Sequence, residues 1–185
     1  MPDPSPPSRG LESDEQLLAR FVRGDTPALG LLADRYEPLL LGLATGILGN
    51  PEAARDAVQD SWLRVIRHAR GFAGRSSAKT WLYRIVINRS IDARSRLTSD
   101  AHANGTLHAS EIAPDTMSES AAPALRIALS SLPESTRLLL LLCYHQGLTH
   151  QQAADVLDIP VGTLKSRLHT ALQALRASLA REEHQ

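Results

Sequence analysis

The chain has 185 residues, with 20 Lys+Arg against 20 Asp+Glu, a single cysteine, seven histidines and only two Trp, three Tyr and two Phe. That length holds one ordinary domain or two small ones, and no apolar run approaches the roughly 20 residues of a membrane span. One cysteine, Cys143, excludes an internal disulfide or a multi-cysteine zinc site, and with no signal-peptide layout at the start a cytoplasmic protein is expected.

Residues 1–12 are expected to be disordered, since four of the first ten are proline. From Ser13 the pattern is helical: Ser13 and Gln16 resemble a capping box ahead of Leu17, Leu18, Phe21 and Val22. Gly24-Asp25-Thr26-Pro27 restarts a second helix carrying Leu29, Leu32, Ala33, Tyr36, Leu39 and Leu40 at the same period. Gly49-Asn50-Pro51 is a turn, and Pro51 suits the first position of a third helix running to about Ala69. A loop with two glycines follows over 71–77, and Ser77 is placed to cap a fourth helix reaching about Arg96.

The stretch 97–122 has little periodicity and many small polar residues, so it reads as a flexible linker rather than a loop within a compact domain. Helical periodicity returns over 123–182, with Ala124–Leu132, then Pro133–Gln146 closed by Gly147, then two more helices. No convincing strand is present. The expected fold is all-α: two small helical domains, 13–96 and 123–182, joined by a flexible acidic linker.

The zero net charge hides a pattern. Residues 11–60 carry −5, 61–96 carry +8, 97–122 carry −4 and 123–185 carry +1. One short block is built to meet a polyanion, and an acidic block precedes it.

In the helix over 78–96, Trp81, Leu82, Ile85 and Val86 make one apolar sector and Tyr83, Ile87 and Ile91 another; between them Arg84, Asn88, Asp92 and Ser95 form one polar stripe, with Arg89, Arg94 and Arg96 nearby. Arginines hold phosphates and Asn88 can read a base edge. The loop before it offers Phe72, Arg75, Ser76 and Ser77, an aromatic and small polar groups suited to a base taken out of its stack. On the third helix Asp56, Gln59 and Asp60 share one side with Glu52. Such a patch repels phosphate and suits a basic protein partner.

Residues 148–176 carry the sharpest local signal. Thr149 caps a short helix, Asp158-Ile159-Pro160 turns, and a longer helix starts near Val161, which together make a helix-turn-helix. On the second helix Leu164, Leu168, Ala171, Leu172, Leu175 and Leu179 form an apolar stripe. Thr163, Ser166 and Thr170 lie opposite, with His169 beside them and Lys165 and Arg167 on the flanks. Short polar groups facing outwards approach base edges, and the flanking cations suit phosphates. Leu138–Leu142 and Cys143 read as core.

The order Asp56-x-x-Gln59-Asp60-x-Trp62, then GFAGRSSAKTWLYRIVINRSID, a linker, and SLPESTRLLLLL followed by GLTHQQAADVLDIPVGTLKSRLHTALQALR, resembles the extracytoplasmic-function sigma factors of bacterial RNA polymerase. The resemblance implies that 13–96 is a region-2-like domain and 123–182 a region-4-like domain. It implies that Asp56, Gln59 and Asp60 meet the polymerase clamp helices and that Phe72 to Ser77 hold a flipped −10 base. Arg84, Asn88 and Arg89 would read and melt the −10 element, and Thr163, Lys165, Ser166, Arg167, His169 and Thr170 would read the −35 element. The second domain would also touch the polymerase flap. The partners implied are core RNA polymerase, promoter DNA and an anti-sigma factor, with no cofactor, no metal and no catalytic activity. Members often carry further arginines where this chain has Thr170 and Gln173, and a threonine where it has Ser61.

Two other readings remain open on the residues alone. A dimeric helix-turn-helix regulator explains the arginines but leaves the acidic patch and the Phe72 loop idle, and it predicts a palindromic footprint. A nuclease needs grouped ligands, and the seven histidines are scattered.

Overall fold

The structure is a computed structural model that describes residues 12–103 and 123–182. The expected disordered start through residue 11, and most of the expected linker (104–122), lie outside the described residues. Among those described there are eight α-helices and no strand. They are α1 Asp14–Val22, α2 Thr26–Leu48, α3 Pro51–His68, α4 Ala78–Ala103, α5 Pro123–Ser130, α6 Glu134–Leu140, α7 His150–Leu157 and α8 Val161–Glu182.

Local chemistry sets most of the boundaries. Ser13 and Gln16 form the reciprocal capping box at α1, and Thr149 and Gln152 form another at α7. Asn50 accepts the Glu52 and Ala53 amides at 2.9 and 3.1 Å, with Pro51 in the first turn of α3. Glu12, placed with the disordered start by its sequence, is instead tied down: its carboxylate pairs with Arg20 and its carbonyl accepts from Arg35 at 2.7 Å. Helix α4 runs past the expected end at Arg96 because no Gly or Pro interrupts LTSDAHA, and Thr98 bonds back to the Arg94 carbonyl at 3.1 Å. The single helix expected over Pro133–Gln146 is α6 followed by a π turn over Leu141–His145.

Helices α1 to α4 bury one core, including Leu17, Leu18, Leu32, Leu43, Ile47, Leu82, Tyr83 and Val86. Helices α5 to α8 bury Leu139, Leu142, Ala153, Leu164 and Leu168, which are continuous with it in one hydrophobic cluster. The leucine run is core as expected, and Cys143 is half-buried with its thiol pushed up by burial, which keeps it protonated and unreactive.

The two groups of helices join where α4 packs on α7 and α2 on the π turn. A Cβ added to Gly46 would lie 2.8 Å from a Leu141 methyl, so the glycine admits that leucine. The buried Tyr83 hydroxyl donates to Gln146 Oε1 at 3.2 Å, and burial pushes the phenol up to about 12. Between its ordinary value near 10 and that value, the unfolded chain releases the proton while the folded chain retains it. Stability should therefore be unaffected by this group at lower pH and fall by roughly 2 kcal/mol across that alkaline window. Denaturation followed against pH should show a shallower alkaline slope for Tyr83→Phe; an unchanged slope removes the assignment.

Candidate functional site

Four groups of side chains were expected to carry function, and the helices place them on distinct surfaces. Helix α3 turns Ala54, Ala57, Val58, Ser61 and Val65 inward and leaves Glu52, Asp56, Gln59 and Asp60 exposed. Glu52, in the first turn of α3, also favours its dipole. Beside them Leu63 and Ile66 are 43% and 48% exposed. These two apolar residues were missed in the sequence, although they fall out of phase with the buried run of α3. Leu63, Leu41, Val58 and Trp62 line a shallow groove that Gln59 borders. Contiguous exposed apolar area next to charge is the composition of a protein-docking surface.

The loop before α4 is held from both ends. Phe72 is half-buried against Trp81, with ring centroids 5.2 Å apart and planes tilted by 49°. Gly74 sits at φ +65°, a left-handed conformation that favours glycine. Arg75 and Ser77 are exposed and Ser76 is half-buried. Ser77 caps α4 by accepting the Thr80 amide at 3.1 Å. A second cap comes from α1, where the Glu15 carboxylate accepts the Ala78 amide at 2.9 Å. That long-range contact has no local sequence signal.

The polar stripe of α4 is not one continuous surface. Asn88 is exposed. Arg89, expected beside it, turns towards α3, where it pairs with Asp60 and lies 3.7 Å from the Asp92 carboxylate, its side chain 14% exposed. It lines a cleft with Asp56, Asp60 and Arg96. Arg89 thus joins the acidic patch to the basic helix. Arg84 turns the other way: its Nε donates to the Asp155 carbonyl of α7 at 2.8 Å, its Nη2 donates to the same oxygen, and Asp158 is 3.9 Å distant. Arg94, expected with Arg89 and Arg96 beside the stripe, is instead 11% exposed and pairs with Glu134 of α6. Burial, with Arg137 nearby, lowers its pKa.

In the helix-turn-helix, Asp158 takes a left-handed φ of 55° after α7, which gives the sharp turn into α8. Leu164, Leu168, Ala171 and Leu175 are buried, while Leu172 and Leu179 are half-buried. Lys165, Ser166, Arg167, His169 and Thr170 are exposed and Thr163 is half-buried. Ser166 and Thr170 donate back to the carbonyls of Thr163 and Ser166 at 2.9 and 3.1 Å, which leaves their oxygens turned outward as acceptors. Among the described residues, no three His, Cys, Asp or Glu side chains are grouped to hold a metal ion.

The family profile described as Sigma-70 region 2 matches residues 32–99, and that of Sigma-70 region 4 matches 128–177. The RNA polymerase sigma-H factor of Pseudomonas aeruginosa is 31% identical, over 91% of this chain and 94% of the relative. The ECF RNA polymerase sigma-E factor of Haemophilus influenzae is 30% identical, over 88% and 93%. The chain belongs to the extracytoplasmic-function RNA polymerase sigma factors. Solved structures share the sigma-factor fold. CnrH in complex with the cytosolic domain of CnrY has a TM-score of 0.69 at 22% identity, covering 92% of this chain and 99% of that one. The sigma factor RpoE of Bartonella quintana, in complex with the anti-sigma factor NepR, has a TM-score of 0.67 at 21% identity, covering 82% and 96%. In this sigma factor the acidic patch, the Phe72 loop and the α4 stripe all fall within the region 2 match, and α7 with the matched part of α8 falls in region 4.

Proposed function

We propose that this sigma factor docks on core RNA polymerase through Asp56, Gln59 and Asp60 with the adjoining Leu63 and Ile66. On that reading region 2, within 13–96, reads and melts the −10 element through Phe72, Arg75, Ser76, Ser77, Arg84 and Asn88, with Arg89 at the border between docking and DNA surfaces. Region 4, within 123–182, reads the −35 element through Thr163, Lys165, Ser166, Arg167, His169 and Thr170 and touches the flap. The protein works in the cytoplasm as a specificity subunit with no catalytic site of its own, and an anti-sigma factor covers its docking surfaces. The observation that carries this reading is the coexistence, on one small domain, of an exposed acidic–apolar face on α3 and a basic helix beside it. A free-standing regulator has no use for the first.

Co-elution with core polymerase on a sizing column tests the docking half; a folded, inhibitor-free chain that elutes alone refutes it. Two substitutions test the DNA half. Asn88→Ala should flatten base preference at the −10 element in an initiation assay over a promoter library, with a loss of about 1–3 kcal/mol in discrimination. Lys165→Ala should instead weaken all promoters nearly alike and reduce the salt dependence of binding by about one charge. Equal losses on every promoter for Asn88→Ala would remove its reading role.

A further inference from the structure

Three carboxylates converge where α3 meets α4. Asp56 and Asp60, one turn apart on α3, line a cleft of about 240 Å³ floored by the small side chains of Ala53, Ala57 and Ala93. Asp92 stands beside it on α4. Like charges so placed repel one another, and each carboxylate turns on its own side-chain bonds. The cation among them is Arg89: its Nη2 pairs with Asp60, and its Nη1 lies 3.7 Å from the Asp92 carboxylate. Arg96 lines the same cleft but is exposed and makes no ion pair among the described residues.

The burial of these groups is uneven. The Arg89 side chain is 14% exposed, against 51% for Asp60 and 53% for Asp92. Its Nε is buried with no acceptor. An arginine that serves DNA phosphate stands clear of the fold, as its chain neighbour Asn88 does. Arg89 instead lies between two helices, with its outer donors turned to carboxylates that are themselves half in solvent. The pairing takes Oδ2 of Asp60. Among the described residues no side chain or amide donates to Oδ1, so the carboxylate is fixed through one oxygen and free to accept through the other.

We infer that Arg89 is a positioning residue of the polymerase-docking face: it braces Asp60 so that the free oxygen meets a cation of the partner, and it holds no DNA phosphate. This rests on the proposed docking role of Asp60. The effect has the opposite sign to charge counting. Removing Arg89 makes the face more acidic, so attraction at a distance alone would tighten binding to a basic partner. Loss of the brace weakens binding, because the Asp60 side chain must then be ordered as the partner arrives.

Binding of the full chain to core polymerase, with association and dissociation followed separately, tests this. Arg89→Met keeps a stem in the cleft and removes the guanidinium. Arg89→Lys keeps the charge on one compact donor that does not span two carboxylates, so the test stands if the methionine variant folds poorly. Dissociation of Arg89→Met should quicken by about three- to tenfold with association no slower, and Arg89→Lys should recover only part of the loss. In an Asp60→Asn background Arg89→Met should cost less than about twofold, because its effect passes through that carboxylate. With core polymerase saturating, the salt dependence of promoter binding should match wild type, whereas loss of a phosphate contact lowers it by about one charge. Unchanged or tighter core binding by Arg89→Met, an equal loss in the Asp60→Asn background, or a lowered salt dependence would overturn the inference. Wild-type core affinity for Asp60→Asn alone would overturn the docking role of Asp60 and this proposal with it, and is read without any change at Arg89.

Discussion

Asp56→Arg is expected to abolish co-elution with core RNA polymerase while leaving the fold intact. Asp56 is exposed on α3, one turn before Gln59 and Asp60, and the inward side of that turn is filled by Ala57 and Val58. Replacing it changes no core contact. Across an interface, however, the reversal converts an attraction into a like-charge contact, which costs several kcal/mol and so at least about a hundredfold in affinity. Asp56→Asn should lose less, since it removes charge without opposing it. The melting midpoint of both variants should match wild type within about 0.5 kcal/mol of stability, as for other surface changes. If Asp56→Arg still co-elutes at wild-type concentration, the acidic face of α3 is a solvated face and docking lies elsewhere.

The second large effect is on stability. Arg137 is only 8% exposed, and its guanidinium donates to the carbonyls of Ser130 and Leu132 at 2.9 and 2.7 Å. Ser130 ends α5 and Leu132 lies in the turn to α6, so one side chain satisfies the carbonyls of a connection that has no glycine. Arg137→Ala takes the guanidinium from the buried Leu132 carbonyl and opens space among leucines, a loss of roughly 3 kcal/mol. Chemical denaturation should report it. Arg137→Lys, with one compact donor group instead of a planar fork, should recover only part. Wild-type stability for Arg137→Ala would mean that water replaces both bonds.

Much of this architecture was legible because it is written locally. Ser13 with Gln16, Asn50 with Pro51, Thr149, and the turn at Asp158 each act within four residues of themselves, and each structure forms where the residues place it. The buried stripe of α8 follows from period alone. What periodicity does not carry is which partner a polar side chain finds. Arg84, Arg89 and Arg94 lie on one helix and read in sequence as one basic surface, yet they turn to α7, α3 and α6 respectively. The partners are 71, 29 and 40 positions away in sequence, and no helical projection contains that information. Exposed Leu63 and Ile66 were visible in phase, but an apolar residue in a helix is read as core unless the phase is checked. Ile91, placed in an apolar sector by projection, is 37% exposed for the same reason.

The π turn at Leu141–His145 has a mechanical consequence. A π turn holds one more residue than an α turn, so it rotates everything after it by about 100° relative to an uninterrupted α-helix. Its ends are Leu141, seated against Gly46, and the residue before Gln146, which Tyr83 grips. Both anchors belong to the other domain, so the wider ladder is favoured by contacts that exist only while the domains touch. Without them, tightening of that single turn would screw the helix-turn-helix about the axis of α6, and separation of the two halves of the molecule would be a twist as well as a hinge.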